Sequence, residues 1–338
     1  MLGSSSCLCS NPFLSPPRPP SRRTRNFEAD NWLPENRYEI LGELGRGQYG
    51  VVYRARDKIR NLDVALKAAR TESCEPQHAH RILQHELCMN SLVSGHANIV
   101  QVYDLHYTPG CPEGTLLMAM ELVEGISLRR WLRDLAGRQN VRIDNGIPMM
   151  IQVCEGLIAL HHAGVVHLDL KPENILINRD GVLKISDLGA AQYLHALHLT
   201  ASCRYEELLH GTPAYMSPEQ FVASDPRDIG VESDIYSLGA IMHETFSDNC
   251  RPPFAGTYEE LREQHLRSAP PPLHNVSPEL ATIVARCLAK SVSRRSSAKL
   301  IHQQASDGLA GQFSRGSAPR TFSYVLSRPS GRNGNGSV

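Results

Sequence analysis

Within HLDLKPENILIN, residues 167–178, the carboxylate of Asp169 is followed five residues later by the side-chain amide of Asn174, with Lys171 between them. This grouping suits a reaction in which charge moves onto oxygen. A carboxylate accepts the proton of an attacking hydroxyl, an amide oxygen coordinates Mg²⁺, and a nearby ammonium offsets charge on a migrating phosphoryl group. A second carboxylate, Asp187, stands eighteen residues past Asp169 in a DLG triplet, reached through the apolar run ILI and a turn. Mg²⁺ prefers one or two carboxylates together with substrate phosphates. Asn174 and Asp187 are therefore the candidate metal ligands, and Asp169, Lys171 and Asn174 the candidate catalytic set.

Two upstream segments offer partners for phosphate. LGRGQYGVV, residues 44–52, carries Gly45, Gly47, Gly50 and Val52 in a G-x-G-x-x-G-x-V pattern. Without Cβ atoms a hairpin there brings backbone amides close to phosphate oxygens. The pattern alone also fits a tight β-turn. A dinucleotide-binding version would need a helix next, whereas VVYRAR continues as a strand. Lys67, seventeen residues after Gly50, sits in VALK beside Val64 and Leu66, and Glu86 follows nineteen residues later as an opposite charge for its ammonium. Glu72 and Glu75 are rival partners, but they precede the helix that would hold Glu86 in place.

The elements that must position these groups divide into two kinds. From Tyr38 to about Met120, short β-branched runs such as YEILGEL, GVVYRAR and DVALKAA alternate apolar and polar residues, as strands of an antiparallel sheet do. One helix interrupts them, about Gln77 to Ser94, with Ile82, Leu83, Leu87 and Leu92 near helical spacing. After Gly125 the patterns lengthen into helices at 147–162, 232–246, 258–267 and 278–289. The expected fold class is α+β, with a small β-rich lobe preceding a larger α-helical one. A cleft between two such halves is a common ligand site.

Taken together, these motifs resemble the eukaryotic-type protein kinase superfamily, in the family's order and spacing, over residues 37–303. DLKPEN with its Lys171 looks like the serine/threonine subclass. GTPAYMSPEQ (211–220) and SDIYSLGAIMHE (233–244) are similar to bacterial serine/threonine kinases of this type. The resemblance implies a two-lobed kinase fold, ATP and Mg²⁺ as cofactors, and protein substrates with Ser or Thr acceptors. It implies that Leu44, Val52 and Ala65 sandwich adenine, that Met120 backs its pocket, and that Glu121 to Val123 supply backbone hydrogen bonds. By the same token Thr212 would position Asp169 and Lys171, Glu219 would pair with Arg295, Asp234 would hold the catalytic loop, and His167 would be a buried scaffold residue. Two other readings share the fold. A catalytically dead scaffold would have lost Lys67, Asp169 or Asp187, and all three are present. A small-molecule phosphotransferase would lack a segment such as GTPAYMSPE.

Three positions depart from the family pattern. Leu168 stands where HRD has Arg, the residue that reads a phosphate on the activation segment through charge-assisted hydrogen bonds. Activity is therefore expected to survive Ala substitution of Thr200, Ser202 and Tyr205. A loss beyond about tenfold, or roughly 1.4 kcal/mol of barrier, contradicts that. Leu188 replaces the Phe of DFG and Ser217 the Ala of APE. Glu124 and Glu173, near the expected peptide groove, point to basic residues flanking the acceptor.

Composition limits what surrounds this domain. Lys+Arg and Asp+Glu both number 35 in 338 residues, with no basic run interleaved with aromatics, so no nucleic-acid partner is expected. Residues 1–36 and 304–338 are rich in Pro, Ser, Gly and Arg and are expected to be disordered tails. The nine Cys form no CxxC pair, and MLGSSSCLCS lacks a basic start with a long apolar run. Reduced thiols, no membrane span and a cytoplasmic location are expected, and Cys7 and Cys9 are read as unmodified. The fifteen His, among them His161, His162, His195 and His198, have no ligand-spaced carboxylate or Cys that would make a metal site. Oligomeric state is not legible.

Overall fold

The computed structural model describes residues 37–46, 50–69, 76–108, 115–194, 211–225 and 228–313. Five antiparallel strands make the first lobe: β1 (Tyr38–Arg46), β2 (Gly50–Asp57), β3 (Leu62–Ala69), β4 (Val102–Thr108) and β5 (Thr115–Glu121), in the order β1-β2-β3-β5-β4. Period-two alternation divides the sheet into two faces. Val64, Leu66 and Ala68 pack with Ala55, Leu117, Ala119 and Tyr38 on one face. The other carries Val52, Ala65, Lys67, Met118 and Met120, brought together by the pairings Val52 with Lys67, Ala65 with Met120 and Lys67 with Met118. Helix α1 (Pro76–Ser91) packs on this second side, with Leu83 against Leu116 and Met118. It ends at Ser91, so Leu92 lies beyond it and is exposed.

The second lobe contains α2 (Leu128–Asp134), α3 (Gln139–His162), α4 (Glu232–Phe246), α5 (Tyr258–Arg267), α6 (Pro278–Cys287) and α7 (Ala298–Phe313). Its short strands are β6 (Gly125–Ser127), β7 (Val165–Val166), β8 (Ile175–Asn178), β9 (Leu183–Ile185) and β10 (Gln192–Tyr193). Every α4 residue from Ser233 to Phe246 is buried, so this helix is the lobe's axis. A helix buried on all sides needs neighbours around it and partners for its polar side chains, among them Asp234, His243 and Glu244.

Three elements differ from the expectations. Helix α3 starts eight residues before Ile147 and carries Pro148 in its interior, and the short helix α2 precedes it. Arg142, fully buried in that early part of α3, ties the elements together. Its Nε donates to the Thr245 carbonyl (2.9 Å), Nη1 to Leu135 (2.7 Å) and Nη2 to Ser247 (2.5 Å). Those carbonyls lie at the C-terminal ends of α2 and α4, where a cation is favoured. Helix α7 runs to Phe313, through the expected domain boundary at residue 303, despite Gly308 and Gly311. Among the described residues no helix is long and apolar enough to cross a membrane.

Candidate active site

The loop between β7 and β8 presents the candidate catalytic set, and a buried carboxylate shapes it. Asp234, on α4, accepts the backbone N–H of His167 through Oδ2 and of Leu168 through Oδ1, both at 2.9 Å. His161, at the end of α3, makes a further 2.9 Å contact to Oδ2. Burial pushes the Asp234 carboxyl up, but these donors outweigh it and hold the group below the usual carboxylate range. The grip accommodates Leu168 at φ +65°, a region costly for a branched side chain. Gln220 secures the same residue by donating to its carbonyl at 2.8 Å. His167 Nδ1 accepts the Asp169 N–H, which places the ring proton on Nε2, 3.1 Å from the Ser186 carbonyl.

Asp169 is held at both oxygens. Thr212 donates to Oδ1 from its backbone N–H (2.9 Å) and its hydroxyl (3.1 Å), while Lys171 Nζ reaches Oδ2 at 2.6 Å. Lys171 also donates to Thr212 Oγ1 at 2.9 Å, closing a triangle with the carboxylate. Asn174 turns its amide N–H to the Asp169 carbonyl at 2.9 Å, leaving Oδ1 as the free ligand atom. The Asn174 carbonyl accepts from both the N–H and the hydroxyl of Ser186, at 2.9 and 3.1 Å. Ser186 immediately precedes Asp187, so Asn174 and Asp187 are set in register.

The two lobes meet at Lys67. Its Nζ lies 2.7 Å from Glu86 Oε2 on α1 and 3.0 Å from Asp187 Oδ1. Burial disfavours the ammonium, yet Asp187 and Glu86 together raise Lys67 above its ordinary range. Lys67 in turn is the main cause that lowers the Asp187 carboxyl. A second link is His85 on α1, whose Nε2 lies 2.5 Å from the Ala191 carbonyl. Leu188 is fully buried in the large core, so it fills the place left for an apolar side chain after Asp187.

The glycine loop divides into unlike parts. A Cβ on Gly45 would meet nothing within 4 Å, whereas one on Gly50 would stand 2.6 Å from the Ala68 carbonyl oxygen. Gly45 thus leaves open space, and Gly50 is required for β2 to approach β3. Gly47 lies outside the described residues, as do Glu72, Glu75, Thr200, Ser202, Tyr205, His195, His198, Cys7 and Cys9. On the adenine side Ala65 is buried, Val52, Met120 and Val123 are half-buried, and Leu44 is half-exposed at the cleft edge. Glu121 spends its side chain on Lys184 at 3.0 Å. The expected pair of Glu219 and Arg295 is bidentate at 2.5 and 2.8 Å, with Ser233 donating to the same carboxylate at 2.6 Å.

The acidic groups near the expected peptide groove are already paired. Arg129 Nε donates to Glu173 at 2.7 Å and its Nη1 to Glu244 at 2.5 Å, and its remaining nitrogen meets the Tyr215 hydroxyl. Tyr215 donates to Glu244 at 2.6 Å. Glu124 pairs with Arg54 (3.1 Å) and Arg179 (3.3 Å). Glu124 and Glu173, the residues that point to basic flanking residues, thus each hold an arginine of this chain. No local pattern links residues 129, 173, 215 and 244, and only the one-residue offset of Arg129 after the first residue of α2 marks its place.

Among the described residues no group of three or more His, Cys, Asp or Glu is placed to hold a metal by itself. The pair formed by one amide oxygen and one carboxylate instead fits a hard cation that draws its other ligands from phosphate and water.

Known proteins are similar to this chain over the region that forms the two lobes. The chain is 32% identical over 267 residues to the serine/threonine-protein kinase PknB of Mycolicibacterium smegmatis, covering 77% of this chain and 41% of that protein. It is 30% identical over 266 residues to a probable serine/threonine-protein kinase PknB of Lactococcus lactis, covering 77% and 40%. It is 31% identical over 268 residues to the serine/threonine-protein kinase Pkn1 of Myxococcus xanthus, covering 76% and 36%. The chain thus spans about two fifths of the length of these relatives. The model of the protein kinase domain matches residues 38–305, and with the lobes, the Lys67 bridge and the catalytic loop arranged as described, this chain belongs to the protein kinase family.

Proposed function

We propose that the domain is a serine/threonine protein kinase that moves the γ-phosphoryl group of ATP to a Ser or Thr hydroxyl of a protein substrate. The observation that carries this reading is the triangle of Asp169, Lys171 and Thr212 beside a Lys67 bridged to both Glu86 and Asp187. Every charged group the transfer needs is present, and each is held by a partner on another element.

In this reading Lys67 and the backbone near Gly45 orient the phosphates. Asn174 Oδ1 and Asp187 would hold Mg²⁺, which supplies charge neutralisation at the phosphates when bound. Asp169 aligns the acceptor hydroxyl and takes its proton as the new P–O bond forms and the bond from the γ-phosphorus to the departing ADP oxygen breaks. Lys171, poised between Asp169 and Thr212, offsets the charge that develops on the transferred group. Thr212 keeps one Asp169 oxygen oriented and stands beside the acceptor.

Leu168 supports a further part of the proposal. It is buried against Val166 and Ile229, and the backbone it shapes is held by Asp234 and Gln220 without any phosphate. The base is therefore ready without a phosphorylated activation segment. The triple substitution of Thr200, Ser202 and Tyr205 by Ala is expected to keep turnover within about tenfold of wild type. A larger loss removes this part of the proposal.

Acceptor type is tested by phosphorylation of degenerate peptide arrays fixed in turn with Ser, Thr or Tyr. Incorporation into Ser and Thr arrays alone is expected, and incorporation chiefly into the Tyr array contradicts the assignment.

A further inference from the structure

Away from the cleft, the large lobe carries a partly open cavity of about 270 Å³ between α3, α4, α6 and α7. Its walls include Met150, Met242, Ile283, Ile301 and Ala305, and so are largely apolar. A cavity of roughly 150 Å³ lined by such groups already accepts a benzene-sized ring, so this one has room for an aromatic side chain and an aliphatic one. Ser277, Glu279 and Gln304 break the lining. Gln304 Oε1 on α7 is buried and has no hydrogen-bond partner, although Gln304 lies on the wall. Ser277, the other small polar residue there, is occupied as the cap of α6, where it accepts the Leu280 N–H at 3.2 Å. A buried amide oxygen left unpaired costs its full desolvation, so the cavity is built for an apolar group that carries a hydroxyl or N–H.

The chain itself has such a group within reach. Gly308 also borders the cavity, and α7 ends five residues later at Phe313, roughly 7.5 Å along the helix. Residues 314–321, SRGSAPRT, make a polar connection, and TFSYVL follows at 321–326. The nine-residue step from Phe313 to Phe322 spans up to roughly 30 Å when extended, ample for the chain to turn back on the helix it leaves. In an extended segment Phe322, Tyr324 and Leu326 fall on one side, with period two. The N-terminal residues are worse placed, since they join the other lobe at β1. A phenol suits Gln304 because its hydroxyl both donates and accepts, and so satisfies either end of the amide.

We infer that residues Phe322–Leu326 dock in the cavity between α3, α4, α6 and α7 of the same chain, with the Tyr324 hydroxyl on Gln304. The site is an intramolecular anchor. It braces α3, which leads into the catalytic loop, and α4, which carries Asp234. The inference does not depend on the kinase activity proposed above.

The methyl groups of Met150 and Met242 report on the cavity directly. In the full chain labelled at methionine methyls, NMR is expected to differ at these two residues between wild type and the Phe322→Ser, Tyr324→Ser double variant. Met118 and Met120, in the other lobe, should be unchanged. Unchanged Met118 and Met120 signals serve as the check that the double variant keeps its fold. A peptide of residues 318–330 added to the double variant should restore the wild-type shifts, and the same peptide with Tyr324→Phe should bind roughly five- to tenfold more weakly. Unchanged Met150 and Met242 signals in the double variant overturn the inference. So does a difference that disappears on dilution, which would mean the tail of a second copy. Equal uptake of added decanoate by wild type and double variant overturns it as well, because the cavity would then be open in the full chain.

Discussion

Asp169 is surrounded by donors of different rigidity, and this ordering gives the site its asymmetry. Thr212 fixes one oxygen from the backbone and hydroxyl together, while the second meets the flexible ammonium of Lys171. These residues were legible in the sequence because Asp169, Lys171 and Asn174 share one short segment, so local spacing carries their relation. Arg129 was not legible, since its partners are 44, 86 and 115 residues away. Its guanidinium neutralises Glu173 and Glu244, and in the kinase reading proposed above its removal would free that acidic pair for a basic substrate residue. Arg129→Ala is therefore expected to raise turnover of peptides with Arg beside the acceptor relative to neutral ones, in positional scanning with wild type as reference. An unchanged preference would place Glu173 and Glu244 away from the peptide path. The same variant leaves Glu244 buried with only Tyr215 as partner, and burial already pushes that carboxyl up.

At the scale of elements, α4 does more than fill the core. Asp234 converts the axis of the large lobe into a clamp on the catalytic loop, by accepting two successive backbone N–H groups on different oxygens. Asp234→Asn keeps the size but turns an NH₂ toward one of those donors. The expected cost is ~3 kcal/mol for the buried donor left unpaired, read from the urea midpoint, with a fall in turnover and little change in ATP affinity. Retained stability and turnover would show the clamp to be dispensable. Helix α4 itself was readable end to end from its apolar run. The first part of α3 was not, because RQNVRIDNG lacks helical periodicity and its one fully buried charge, Arg142, is satisfied by carbonyls distant in sequence. The end of α7 was obscured by Gly308 and Gly311, whose low propensity packing on α3 overrides.

For the whole molecule, the order of a β-rich lobe before a helical one was clear from periodicity, whereas the junction between them depends on the Lys67 bridge and on His85. Stability has its own pH signature. His265 is fully buried among Phe221, Tyr236 and Phe254, and burial, with Lys290 nearby, lowers its pKa to about 3. The unfolded chain binds a proton below about pH 6.5 that the folded chain refuses. This contribution is therefore fully present above pH 6.5 and is lost as pH falls toward 3. His265→Phe is expected to reduce the slope of unfolding free energy between pH 6 and 4.5 by about 1.4 kcal/mol per unit. Urea titrations across that range check it, and parallel slopes for the two proteins would contradict the assignment. The lowered aspartates, Asp57, Asp63, Asp104, Asp187 and Asp234, lose their contribution chiefly below their ordinary value of 3.8, and like the lowered His106 and His243 they are common to both proteins, so the difference in slope reports His265.

The central claim is that Asp169 is the base of a phosphoryl transfer in an otherwise preassembled cleft. It is tested most directly by Asp169→Asn, with single-turnover transfer from ATP to a Ser/Thr peptide and ATP affinity measured on the same preparation. A fall in the transfer rate of roughly 10²–10⁴, with ATP affinity within about twofold of wild type, is the expected result. Transfer at the wild-type rate would contradict it.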